Sequence, residues 1–134
     1  MAKDRGEPQR LIIVDGDVLV RHVLSDYLRT CGYTVIEAAT TDEATAILGD
    51  TSLGVQAMLC DADAPGAKSA FELRAWSRQE RPEVEVILAG SIASAANKAA
   101  ELCDEGPQLK RPYDPQSVSE YIKRIMGAQD RKAG

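Results

Sequence analysis

The chain predicts an α/β domain: a doubly wound, five-stranded parallel sheet in the order 2-1-3-4-5, flanked by five helices. Three observations carry this reading. Leu11-Ile12-Ile13-Val14 is a continuous apolar run, the mark of a strand buried on both faces. Ala57-Met58-Leu59-Cys60 runs straight into Asp61, and a Pro65-Gly66 turn follows. Strand-like runs alternate with segments of helical periodicity along the whole chain, which calls for parallel strands joined by crossover helices. Ligands of such sheets bind outside the carboxyl ends of the strands, which draws attention to Asp61.

Taken in order, residues 1–9 read as a flexible lead-in to the first strand. After Asp15-Gly16-Asp17, the residues Val20, Val23, Leu24, Tyr27 and Leu28 recur at helical spacing, with Asp17 as N-cap and Gly32 as stop. A second strand covers 33–38, and Thr41-Asp42-Glu43 opens a helix closed by Gly49. The third strand, 55–60, ends at Asp61. A helix over 69–81 carries Phe71, Leu73 and Trp76 and stops before Pro82. The fourth strand is 84–88, and 91–103 is an alanine-rich helix. Leu109-Lys110 is a short fifth strand. Asp114-Pro115 then supplies an N-cap with proline at the first helical position, and Val118, Tyr121, Ile122 and Ile125 form the apolar stripe of the last helix. The expected domain spans 10–127, with a loose charged tail over 128–134. In the 2-1-3-4-5 order the first and third strands are neighbours about 4.8 Å apart, so Asp15 and Asp61 face each other across the carboxyl edge.

The totals exclude several classes. A net charge of −5 argues against general nucleic-acid or anionic-membrane binding, either of which needs a basic surface. No apolar run approaches the length of a membrane span, and the polar N-terminus carries no signal-peptide core, so a cytoplasmic protein is expected. Cys31, Cys60 and Cys103 have no C-x-x-C spacing and read as small buried hydrophobes in a reducing compartment. His22 is the single histidine and cannot build a metal cluster; it reads as a surface or partly packed side chain.

A set of short matches in this order resembles the receiver domain of bacterial two-component response regulators, a flavodoxin-like fold, over about residues 10–126. They are Leu11-Ile12-Ile13-Val14-Asp15, Val20-Arg21, Cys31-Gly32-Tyr33 with Val35-Ile36-Glu37-Ala38, Leu59-Cys60-Asp61 with Pro65-Gly66, Phe71-Glu72-Leu73, and Arg111-Pro112-Tyr113-Asp114-Pro115. The resemblance implies a stand-alone module in phosphorelay signalling, with Asp61 as phosphoacceptor. Its partners would be a sensor histidine kinase or phosphotransfer protein, and a downstream protein docking on the face of the fourth helix, fifth strand and fifth helix. The activity implied is at most self-phosphorylation and slow acyl-phosphate hydrolysis. A carboxylate can attack a phosphoryl group, but against a dianion it needs a hard cation such as Mg²⁺. It also needs a fixed positive charge and a hydroxyl.

The chain departs from the family at each of these supports. The acidic pair after the first strand reads Asp15-Gly16, leaving Asp15, Asp61, Asp63 (through its backbone carbonyl or water) and Asp17 as the metal-ligand set, with Mg²⁺ held weakly or not at all. The hydroxyl position falls at Ala89-Gly90, with Ser91 the one hydroxyl nearby. Arg111 stands in place of lysine, and its planar guanidinium is not an equivalent substitute. These losses set a working phosphoacceptor against a pseudo-receiver, a binding module that acts without phosphorylation. Asp61-Ala62-Asp63 also has the spacing of aspartate-nucleophile phosphatases of the haloacid dehalogenase type, but those place it on the first strand. If Arg111 offsets the repulsion between Asp15 and Asp61, Arg111→Ala lowers the melting temperature in metal-free buffer, measured by thermal unfolding.

Overall fold

The computed structural model describes residues 9–106 and 114–133. Its elements are β1 (Arg10–Val14), α1 (Val18–Thr30), β2 (Thr34–Ala38), α2 (Thr41–Gly49), β3 (Ala57–Asp61), α3 (Ala70–Glu80), β4 (Glu85–Ala89), α4 (Ile92–Glu105) and α5 (Pro115–Ala133). Among the described residues the strands form one parallel sheet in the order β2-β1-β3-β4. This is the predicted α/β architecture with its five helices. The fifth strand at Leu109-Lys110, Arg111 and residues 1–8 of the lead-in lie outside the described residues.

Local chemistry sets most boundaries. The Asp17 carboxylate accepts from the amides of Leu19 (2.9 Å) and Val20 (3.1 Å) and starts α1. Gly32, at φ 106°, turns the chain after α1. Ser69 and Glu72 form a capping box on α3, and the Asp114 carboxylate receives the Ser117 amide at 2.9 Å to start α5. The cap of α2 is Thr40. Thr41 opens α2 as expected; it is fully buried and donates its hydroxyl to the Lys68 carbonyl at 2.8 Å. The segment after Gly127 is helical through Ala133. One glycine costs a helix about 1 kcal/mol relative to alanine, and the good helix formers Ala128, Gln129, Arg131 and Lys132 follow it.

Strand alternation divides the core in two. Leu11, Ile13, Ala57, Leu59 and Ala89 face α1 and α4, whereas Ile12, Val14, Met58 and Cys60 face α2 and α3. The outermost helix is α5, which packs on α1 and α4 through Val118 and Ile122. Helix α4 lies on the same side of the sheet as α1.

Three features hold α4 there. Ala95, Ala96 and Ala99 are buried and let the helix approach the sheet closely. The Tyr33 hydroxyl donates to the Leu102 carbonyl at 2.6 Å. Cys31, at the C-cap of α1, forms a disulfide with Cys103 in the last turn of α4, with Cα atoms 5.5 Å apart. This disulfide corrects the reading of all three cysteines as reduced. A bridge between residues 72 positions apart leaves no local signature, so spacing alone could not show it. Cys60 is the free cysteine, buried on the opposite face. Burial, and next the Asp61 and Asp15 charges, push its thiol pKa up to about 12.

Away from the carboxyl edge, Arg81 is nearly fully buried and donates to the carbonyls of Leu48 (2.5 Å) and Leu53 (2.8 Å), tying the end of α2 and the following loop to α3. Glu83 pairs with it at 2.6 Å. Among the described residues no helix is long and apolar enough to cross a membrane.

Closing a loop of 72 residues by a disulfide stabilises a chain by about 4 kcal/mol in the chain-entropy treatment. Cys103→Ser should lower the unfolding free energy by roughly that amount, read by urea titration without reductant. Thiol counting on the unfolded, unreduced chain should find one free cysteine; three would contradict the bridge.

Candidate functional site

The site is built by register. Val14 pairs with Cys60 in the parallel β1–β3 ladder, so the next residues, Asp15 and Asp61, lie side by side where the strands end. Alternation turns both toward α1 and α4. They open into a cavity of about 210 Å³. Its walls are apolar, with Val20 and Leu24 from α1, Leu59 from β3, and Ile92 and Ala95 from α4, while Asp17 and Ser91 lie at its polar end.

Asp15 is 8% exposed, and its Oδ1 accepts the Asp17 amide at 2.9 Å. Burial is the main cause lifting its pKa to about 6; the charges of Asp61 and Asp17 add to the rise, while the Asp17 amide and the Arg21 guanidinium oppose it. Arg21 donates to the Asp15 carbonyl at 2.8 Å and pairs with Glu37 at 3.3 Å, which fixes the end of β1 against β2. Asp61 is half-buried and accepts the Asp63 amide at 3.2 Å.

The structure thus brings Asp15, Asp17, Asp61 and Ser91 around one cavity, and each is already engaged. The Asp17 carboxylate caps α1, and the Ser91 hydroxyl accepts the Ser94 amide at 3.0 Å to cap α4. Asp63 is exposed and is not among the residues lining the cavity. Arg111 lies outside the described residues. Among the described residues no three His, Cys, Asp or Glu side chains are grouped so as to hold a metal ion. Asp15, Asp17 and Asp61 are the carboxylates lining the cavity, and Mg²⁺ is held by one or two carboxylates with water completing its shell. At position 16, a Cβ would meet the Pro65 ring at 2.9 and 3.0 Å, so any side chain there requires that ring to shift.

The loop carrying Pro65 is fastened to α2. The Thr41 amide donates to the Pro65 carbonyl at 2.8 Å, and the Ala67 amide to the Asp42 carboxylate at 3.2 Å. Gly66 has φ 141° and lies against Thr41, so a side chain there would collide with it. Sequence reading missed Thr41 and Arg21 as supports of the site. The Pro-Gly turn was the one signal that something must approach this loop closely.

No protein-family model and no curated protein matches the chain. Solved structures do resemble it. A response regulator receiver domain protein from Methanospirillum hungatei is 22% identical over 94% of this chain and 99% of its own, with a TM-score of 0.59. A chemotaxis response regulator of Vibrio cholerae is 18% identical over 89% of this chain and 99% of its own, with a TM-score of 0.58. A response regulator from Burkholderia pseudomallei, solved with a phosphorylated aspartic acid, calcium and citrate, is 19% identical over 94% of this chain and 75% of its own (TM-score 0.56). The chain has the fold of response-regulator receiver domains.

Because the folded-state pKa of Asp15 lies above that of an unfolded aspartate, the folded chain holds this proton more tightly. That contribution to stability is present below about pH 4 and is lost as pH rises through about 6. Asp15→Asn keeps an acceptor for the Asp17 amide without the buried charge. It should raise the melting temperature above pH 6 and change it little below pH 4, in thermal unfolding across a pH series.

Proposed function

We propose that this receiver-fold domain is a signalling module of the two-component type that acts by binding a partner protein, without Mg²⁺-dependent phosphorylation of Asp61 as its switch. The observation that carries this reading is the engagement of the carboxylates around Asp61. An aspartate attacking a phosphoryl dianion needs its developing charge neutralised by a cation. Here Asp17 caps a helix, Asp63 lies off the cavity and position 16 has no side chain. The hydroxyl that would register a phosphoryl group is also missing: Ala89 ends β4, and the Ser91 hydroxyl is engaged in capping α4. The α4–α5 side is the proposed docking surface, with an open groove lined by Asn97, Gln116, Glu120 and Lys123. This keeps two elements of the expected partner face.

A second reading rests on the position of Asp61 itself, half-buried at the end of β3, beside Asp15 and open to the cavity. In it a sensor histidine kinase or phosphotransfer protein donates the phosphoryl group. An Asp61 carboxylate oxygen forms the new O–P bond, the P–N bond to the donor histidine breaks, and the imidazole nitrogen keeps the electron pair. Arg111 then supplies positive charge and Mg²⁺ is bound weakly through Asp15 and Asp61.

Intact-mass measurement after incubation with acetyl phosphate and Mg²⁺, with Asp61→Asn as control, separates the two. The proposed function expects no adduct under conditions that label an ordinary receiver. A single phosphoryl adduct that disappears in Asp61→Asn would overturn it in favour of the second reading.

A further inference from the structure

We infer that Cys31 and Cys103 form a redox-responsive latch that sets how firmly α4 walls the Asp61 cavity. The inference rests on the proposed function, in which α4 carries Asn97 of the docking groove as well as one wall of the cavity, and it concerns regulation of that helix. Its first support is that one helix joins the two places. The N-terminal end of α4 contributes Ser91, Ile92 and Ala95 to the cavity, and its last turn carries the disulfide to the C-cap of α1. A helix transmits displacement along its axis, so freeing one end loosens the other.

The second support is the small side chains by which α4 meets the sheet. Its buried face is largely alanine, and each methyl group buried contributes less than the side chain of a leucine or isoleucine. Besides the disulfide, the Tyr33 hydroxyl bond to Leu102 is a specific tie near this end, two residues after Cys31 in sequence and one before Cys103. The third is selectivity. Cys60 is buried on the opposite face with its thiol pKa pushed far above neutrality, so it does not compete for exchange.

The chemistry balances as ordinary thiol–disulfide exchange. A low-molecular-weight disulfide accepts two electrons and two protons from the Cys31 and Cys103 thiols, through one mixed disulfide, and leaves as two thiols. A dithiol reverses the step. Both sulfurs belong to fully buried residues, so exchange proceeds through openings of α4 and is slow in the closed state.

The test is amide hydrogen exchange read by mass spectrometry on the full chain, after oxidised glutathione and after dithiothreitol, with cysteines counted by alkylation. On reduction, α4 amides and those of the β4–α4 junction should exchange on the order of a hundredfold faster, with α2 and α3 unchanged. Cys31→Ser and Cys103→Ser should show the fast pattern in both conditions, and Cys60→Ser should keep the redox response. The inference is overturned by three alkylated cysteines after glutathione treatment, by α4 exchange that ignores reduction, or by equal loosening of α2 and α3. These readouts are independent of whether Asp61 accepts a phosphoryl group, so failure of the latch and failure of the proposed function are distinguishable.

Discussion

The pairing of β1 with β3 is the constraint on which the site depends. Placing Val14 beside Cys60 brings Asp15 and Asp61 together at the strand ends, on the side covered by α1 and α4. A shift of one residue in either strand would turn its aspartate to the other face and its core side chains with it. The apolar pattern that buries both faces therefore also places two carboxylates in a poorly solvated cleft. The raised pKa of Asp15 follows from the same pairing, with burial as the larger cause and the neighbouring charge as the smaller.

The groups around that pair also hold the scaffold. Asp17 starts a helix, Ser91 starts another, and Arg21 holds the backbone carbonyl of Asp15 while it pairs with Glu37. Each of these groups thus has a part in the scaffold as well as a place at or beside the cavity. The Pro65 ring against Gly16 completes this picture, since the loop bearing it is fastened to α2 through Thr41 and Asp42.

The side occupied by α4 has the widest structural consequence. Packed beside α1, it makes one wall of the Asp61 cavity and provides the surface on which α5 lies. Alanine gives close approach at the expense of buried area, and the Cys31–Cys103 bridge and the Tyr33 hydroxyl offset that loss. The helix at the cavity is thus held both by these specific bonds and by its packing on α1, α5 and the sheet.

Much of this was legible in the residues alone. Periodicity located nine elements of the described fold, because strand and helix patterns are written in neighbours a few positions apart. Asp17, Ser69 and Asp114 announced helix starts, and the doubly wound order put Asp15 beside Asp61 before any coordinates. Tertiary structure alone decided what each of those groups touches. It chose the side of the sheet for α4, paired Cys31 with a residue 72 positions away, buried Arg81 among carbonyls of the α2 end, and engaged Ser91 in a cap. These outcomes join residues distant in sequence through three-dimensional packing, and a local pattern carries no record of which distant partner will satisfy a given side chain.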